Sequence, residues 1–172
     1  MPIGKLCCCL TVLALAGLAQ STAPSKRAPL AAFLGHWEGS GKFADTRYSK
    51  AQSVTSVADC NWTPQGSALV CEMVVHDLAG DHVQLSIDTP NAGDSGFTYY
   101  TVNPGHKPFY GVLAITGNTW IYGPAPDVKG HYPEFRTTNT FTGDTETFTT
   151  EFTDDGTHWT TMLEGIMRRT KH

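Results

Sequence analysis

The chain has 172 residues, 40% of them hydrophobic and 16% charged, and a formal net charge of −4. A mildly acidic chain with scattered lysines and arginines has no electrostatic footprint for nucleic acid or an anionic membrane surface. With a leader set aside, about 150 residues remain, enough for one domain that buries roughly two-thirds of its unfolded surface without a metal or many staples.

Residues 1–19 read as a secretory signal peptide. Lys5 supplies the positive start, Leu6 to Leu18 is an uncharged apolar run too short to span a membrane comfortably, and Gly17 and Ala19 are the small residues of a cleavage site after Ala19. Cys7, Cys8 and Cys9 lie within that leader and leave with it, making the mature chain one unit more negative through loss of Lys5. Residues 20–28 read as a flexible linker and 29–172 as the folded domain. The expected location is periplasmic or extracellular, with no integral span after cleavage. That setting is oxidising and favours disulfides.

The domain opens with a short helical turn from Pro29 to Leu34, then Gly35-His36-Trp37-Glu38-Gly39-Ser40-Gly41-Lys42-Phe43. An indole at the start of a first strand has little choice but to enter one end of the core, so Trp37 reads as a plug. From there the hydrophobic period is two nearly throughout. Val54, Ser56, Ala58, Cys60 and Trp62 share a face, answered by Leu69, Cys71, Met73 and Val75 across the turn Thr63-Pro64-Gln65-Gly66. A hairpin centred on Gln65 and Gly66 sets Cys60 opposite Cys71, close enough for a disulfide that contributes ~3 kcal/mol. The opposite face pairs Asp59 with Glu72, two like charges. Val57, Val74 and Ile166 also fall on outward faces.

Strands are predicted at His82 to Asp88, Ser95 to Thr101, Phe109 to Ile115 and Thr119 to Tyr122, with Gly123 to Pro133 as the longest loop. Turns at Gly143-Asp144 and Asp155-Gly156 align three final strands. They put Phe135, Thr137, Asn139, Phe141, Phe148, Thr150, Phe152, Trp159, Thr161 and Leu163 on one face. Rings mixed with hydroxyls and an amide suit a lumen for an amphipathic molecule, and suit a filled core equally well. About ten strands in meander order, with no helix after Leu34, predict an all-β antiparallel meander barrel that closes to remove its edges.

No nucleophile elbow, catalytic cysteine or phosphate loop is present, so no enzyme activity is expected. His76-Asp77-Leu78-Ala79-Gly80-Asp81-His82 offers a donor set acceptable to zinc or copper, with His76 and His82 as weak metal candidates against an ordinary solvated turn. No cofactor is expected.

Gly35-His36-Trp37 resembles the first-strand Gly-x-Trp of the lipocalin and calycin barrels. That resemblance implies a last-strand arginine packed on the tryptophan, making Gly35, Trp37 and Arg169 a barrel-closing motif, with Arg168 as the alternative. Phe33 to Gly39, the Cys60 to Cys71 hairpin and Phe152 to Gly165 together resemble the bacterial secreted proteins grouped as domain of unknown function 1579, which implies the same barrel and no known chemistry. Leu34 to Gly41 is also similar to the opening of the nitrobindins, which implies haem on a histidine near the C-terminus. His158 is the residue so placed, and the alternation points it away from Trp159 and Leu163, out of the lumen. The expected role is an exported, lipocalin-like barrel holding a small hydrophobic or amphipathic ligand; the alternative is an interaction or envelope-maintenance module acting through its outer surface.

Overall fold

The computed structural model describes residues 27–93 and 96–171. The leader expected at 1–19 and the linker as far as Lys26 lie outside the described residues. A 3-10 turn at Ala28–Phe33 precedes ten strands: β1 (Gly35–Phe43), β2 (Gln52–Trp62), β3 (Leu69–Asp77), β4 (Gly80–Pro90), β5 (Phe97–Val102), β6 (Phe109–Thr116), β7 (Thr119–Pro124), β8 (Glu134–Thr142), β9 (Thr145–Thr153) and β10 (Trp159–Thr170). Each strand pairs antiparallel with the next, and β10 returns to β1, so the sheet is a closed meander barrel. Closure leaves no strand edge unpaired, the condition that ten short-looped strands have to meet.

The floor is built from the N-terminal turn upward. Pro29 sits in the first turn of the 3-10 segment, where its missing N–H is not needed. Leu34 leaves that turn in an extended conformation and directs the chain into β1. Three positions on, Trp37 is fully buried, and its Nε1–H donates to the Phe33 carbonyl at 3.0 Å. Phe33 stacks on Trp37 with centroids 5.5 Å apart, and Phe141 meets both rings edge-on. Trp120 completes the group, 5.1 Å from Phe141. Rings of this size cost ~3–5 kcal/mol each when truncated.

Arg169 stands directly opposite Trp37 across the β1–β10 pair, with its guanidinium 4.8 Å above the indole ring. Its Nη2 donates to the Ala32 carbonyl at 2.6 Å, and Asp144 lies 3.6 Å from its Nε. One side chain thus ties the last strand to the N-terminal turn, and the motif of Gly35, Trp37 and Arg169 is present as the lipocalin resemblance implies; Arg168 faces the other way, against Thr145. Cys60 and Cys71 are directly paired and bonded, and both are buried at the same end of the barrel.

The β1–β10 seam is narrow because glycine lines it. Gly41 pairs with Gly165, and the Phe148 ring lies over both. A methyl group at position 165 would meet the Ser40 carbonyl and the Phe148 ring well inside van der Waals contact. We expect Gly165→Ala to lower stability by ~1–3 kcal/mol, as overpacking against fixed backbone does, measured by urea denaturation; an unchanged midpoint would show that the seam is looser than described.

Candidate functional site

Above the aromatic floor the barrel is hollow. Two adjoining chambers of about 330 and 300 Å³ share Phe33, Met73, Gln84, Thr137 and Asn139 as walls. Of the residues expected to line a lumen, Phe135, Thr137 and Asn139 border the first chamber, and Thr137, Asn139, Phe148, Thr150 and Leu163 the second. Thr137 and Thr150 are directly paired, with their hydroxyls 3.0 Å apart. Phe135 and Phe152 are paired at the mouth, where Tyr48 from the β1–β2 loop meets both rings edge-on.

Trp159 and Thr161 are not in the lumen. A symmetric hairpin about Asp155-Gly156 would pair Trp159 with Phe152, whereas the observed partner is Thr153, and Thr161 pairs with Glu151. The cause is the loop chemistry. The Asp155 carboxylate accepts the N–H groups of Thr157 and His158, and the Thr153 hydroxyl accepts those of Asp155 and Gly156, which shifts the register by one residue. A one-residue shift exchanges the faces. Trp159 therefore lies outside, under the Arg136 guanidinium at 4.0 Å, while Arg136 bonds Glu151 at 2.8 Å. A bulge between Thr161 and Leu163 adds a second residue of shift and returns Leu163 to the interior.

The interior also holds acids that the sequence reading did not single out. Asp88 on β4 and Glu146 on β9 are each 1% exposed. Asp88 pairs with Leu69 and Tyr99, Glu146 with Phe141 and Met167, so both point inward at the level of the floor. The Tyr122 hydroxyl donates to Asp88 Oδ2 at 3.4 Å, and that of Tyr99 to the Gly123 carbonyl at 3.2 Å. Burial pushes the Asp88 carboxyl up to about 7, against the Tyr122 bond; burial likewise pushes Glu146 up to about 8, against a hydrogen bond from Asn139. Tyr122 is raised well above its ordinary value by its own burial and by both acids, and so stays a hydrogen-bond donor. Asp88 Oδ1, Asn139 Oδ1 and Glu146 Oε2 have no hydrogen-bond partner among the described residues. An unpartnered buried acceptor costs ~1–3 kcal/mol. The available signal was phase alone, since Glu146 is two residues from Phe148 and Asp88 two from Ser86.

The histidines stand apart from this site. His76 pairs with Asp81 and His82 with Val75, so alternation puts the two imidazoles on opposite faces of the hairpin, each bonded to its own carboxylate: His76 to Asp81 at 2.6 Å and His82 to Asp77 at 3.1 Å. Among the described residues no three His, Cys, Asp or Glu side chains gather as a metal site. His158 is on the β9–β10 loop, 88% exposed at the side chain and bonded to Asp155 at 2.6 Å, outside the lumen. His36 lies on the outer face, 2.7 Å from Asp59 and on its side away from Glu72, so the like-charge pair expected across β2 and β3 has a hydrogen-bonding partner for Asp59.

On the outer wall, Val57, Val74 and Ile166 are half-buried. The exposed apolar residues are instead Tyr100, Val102, Tyr110, Val112 and Ile121 of β5 to β7. Among the described residues, no helix is long and apolar enough to cross a membrane.

No family model and no curated protein matches the chain. Among solved structures, the barrel is similar to the crystal structure of Rv2717c from M. tuberculosis, with a TM-score of 0.61 and 14% sequence identity over 87% of this chain and 99% of that one. At that identity the likeness speaks to the barrel fold alone, and the motifs shared with domain of unknown function 1579 are a sequence resemblance without a matching family model.

The buried acids set the pH dependence of stability. Both pKa values are raised in the fold, so the folded chain keeps protons that the unfolded chain releases above about pH 4. Stability therefore falls as pH rises from there to about 7 for Asp88 and 8 for Glu146, by about 1.4 kcal/mol per pH unit and group. His36 and His158, raised by Asp59 and Asp155, slope the same way. The difference between wild type and Glu146→Gln isolates the acid: the variant should gain stability at pH 8 relative to pH 5 in urea denaturation, and parallel profiles would contradict the assignment.

Proposed function

We propose that the protein is an exported binding barrel whose lumen holds a small amphipathic molecule. The observation that carries this reading is the wall above the floor. Apolar Val54, Val75, Phe148 and Leu163 alternate with Thr137, Thr150, Gln84 and Asn139 around one chamber of about 300 Å³. A ligand pocket is mostly apolar with a few placed polar groups, and this wall has that composition. The Cys60–Cys71 disulfide is compatible with an oxidising, exported location and supports that part of the proposal.

The floor supports a binding role over a through-channel. Phe33, Trp37, Trp120 and Phe141 fill the lower end, leaving access from the mouth where Tyr48, Phe135 and Phe152 gather. Aromatic side chains there give a ligand's apolar portion a desolvated surface to slide past. Among the described residues, the inward phenol that meets a base is that of Tyr122, on Asp88, and burial holds it protonated. Those groups are suited to hydrogen bonding a guest.

Nile red, a neutral apolar fluorophore, should bind the full chain saturably at micromolar concentration with a fluorescence increase. Thr137→Trp, which fills the shared wall of both chambers, should weaken it by about tenfold or more, a loss of at least ~1.4 kcal/mol. Absence of saturable binding by Nile red and by a host lipid extract would remove the reading.

A further inference from the structure

The lower lumen is asymmetric in its hydrogen bonding. Asn139 Oδ1, and in their ionised forms Glu146 Oε2 and Asp88 Oδ1, are acceptors, all without a partner among the described residues, on side chains 7%, 1% and 1% exposed. Glu146 and Asn139 line the second chamber directly, and Asn139 lines the first as well. Asp88 stands behind Tyr122, which it holds through the phenol. The two that face a chamber, on Glu146 and Asn139, ask for a guest that donates.

Among the described residues, no cation answers them. The one lysine on a described strand, Lys42, alternates outward between Gly41 and Phe43. Arg136 borders the first chamber on the strand end by the mouth, but its guanidinium is bonded to Glu151 and lies over Trp159. Arg169 is committed to Trp37, Ala32 and Asp144 below the floor. His82 faces in but at the far rim, bonded to Asp77. The remaining inward titratable groups near Glu146 are Asp88, Tyr99 and Tyr122 from β4, β5 and β7, which are acids. The lumen is therefore either neutral or negative at its lower end.

From this geometry we infer that the lumen ligand is an amphipathic primary amine, its ammonium group seated on Glu146 and Asn139 and its apolar tail lying along Phe148, Leu163 and Val54 toward the mouth. The inference rests on the lumen-binding reading above and names the class of ligand for it. An ammonium group carries three N–H donors and no acceptor, enough for the two unpartnered oxygens that face the chamber, Glu146 Oε2 and Asn139 Oδ1. A charge-assisted hydrogen bond to a carboxylate is among the stronger that a buried site can form. Proton balance follows directly. With the empty acid largely protonated near neutral pH, an incoming ammonium displaces the Glu146 proton to solvent and leaves an ion pair.

The test is isothermal titration of the full chain with four probes sharing one tail: octylammonium, octyltrimethylammonium, octanol and octanoate. Octylammonium should bind about tenfold more tightly than octanol, and octanoate more weakly than either. Octyltrimethylammonium has the charge without N–H donors and should lose most of the advantage. Titrations in buffers of different ionisation enthalpy should show proton release with octylammonium and none with octanol. Glu146→Gln should bring octylammonium to the level of octanol, keep octanol binding, and end proton release. Asn139→Ala, which leaves the carboxyl in place, should reduce the amine preference in part. Equal binding of the amine and the alcohol, tightest binding of octanoate, or a preference that survives Glu146→Gln would overturn the inference while leaving lumen binding intact. Failure of all four probes together with Nile red would instead overturn the lumen reading itself.

Discussion

The packing of Arg169 over Trp37 is the interaction on which the rest of the barrel depends. It joins three parts of the chain that sequence distance keeps far apart: the N-terminal turn through Ala32, the first strand through the indole, and the last strand through the arginine itself. A meander barrel has a single seam where its ends meet, here β1 against β10. Nothing in the local hairpins closes that seam, so long-range contacts have to do it. The cation over the ring stabilises by ~0.5–2 kcal/mol, modest beside the burial of Trp37, yet it fixes which strand ends lie together. Gly41 and Gly165 then let the two backbones approach beneath Phe148.

Sealing one end gives the interior a direction. The floor rings exclude water from below, and the strands carry Asp88 and Glu146 to the same level, where desolvation rather than any neighbouring charge dominates their protonation. Hydroxyls and aliphatic chains follow toward the mouth, then the aromatic trio of Tyr48, Phe135 and Phe152. Two buried acids beside the ring floor, at the closed end, are the reverse of what a structural core needs. A core would place its polar groups near solvent. The fold bears the cost of two buried acids in a barrel that apolar residues could have filled, a cost that the proposed guest, with its donor groups, would offset.

Legibility in the sequence followed the range of the interactions. Cys60 opposite Cys71 and Phe135 opposite Phe152 were readable because tight turns with Gly66 and Gly143 set their register locally. The β9–β10 register was not. It depends on the Asp155 and Thr153 side chains capturing backbone N–H groups and on a bulge near Met162, neither of which leaves a mark on a period-two pattern. That is why Leu163 was placed inward correctly and Trp159 and Thr161 were not. Alternation in the β3–β4 hairpin separates His76 from His82, which their shared short loop had offered as one donor set. Asp88 and Glu146 were in phase with inward neighbours, but carboxylates on strands default to solvent, and only the closed sheet shows that none is available there.

The account turns on the lumen being occupied in the protein's own setting. Native mass spectrometry of the full-length product, purified from its host without detergent, addresses that directly. A mass excess matching one small molecule, lost on collisional activation and bearing a basic nitrogen in its fragment spectrum, is the result the structure leads us to expect. The bare polypeptide mass, both as purified and after incubation with a lipid extract of that host, would contradict it.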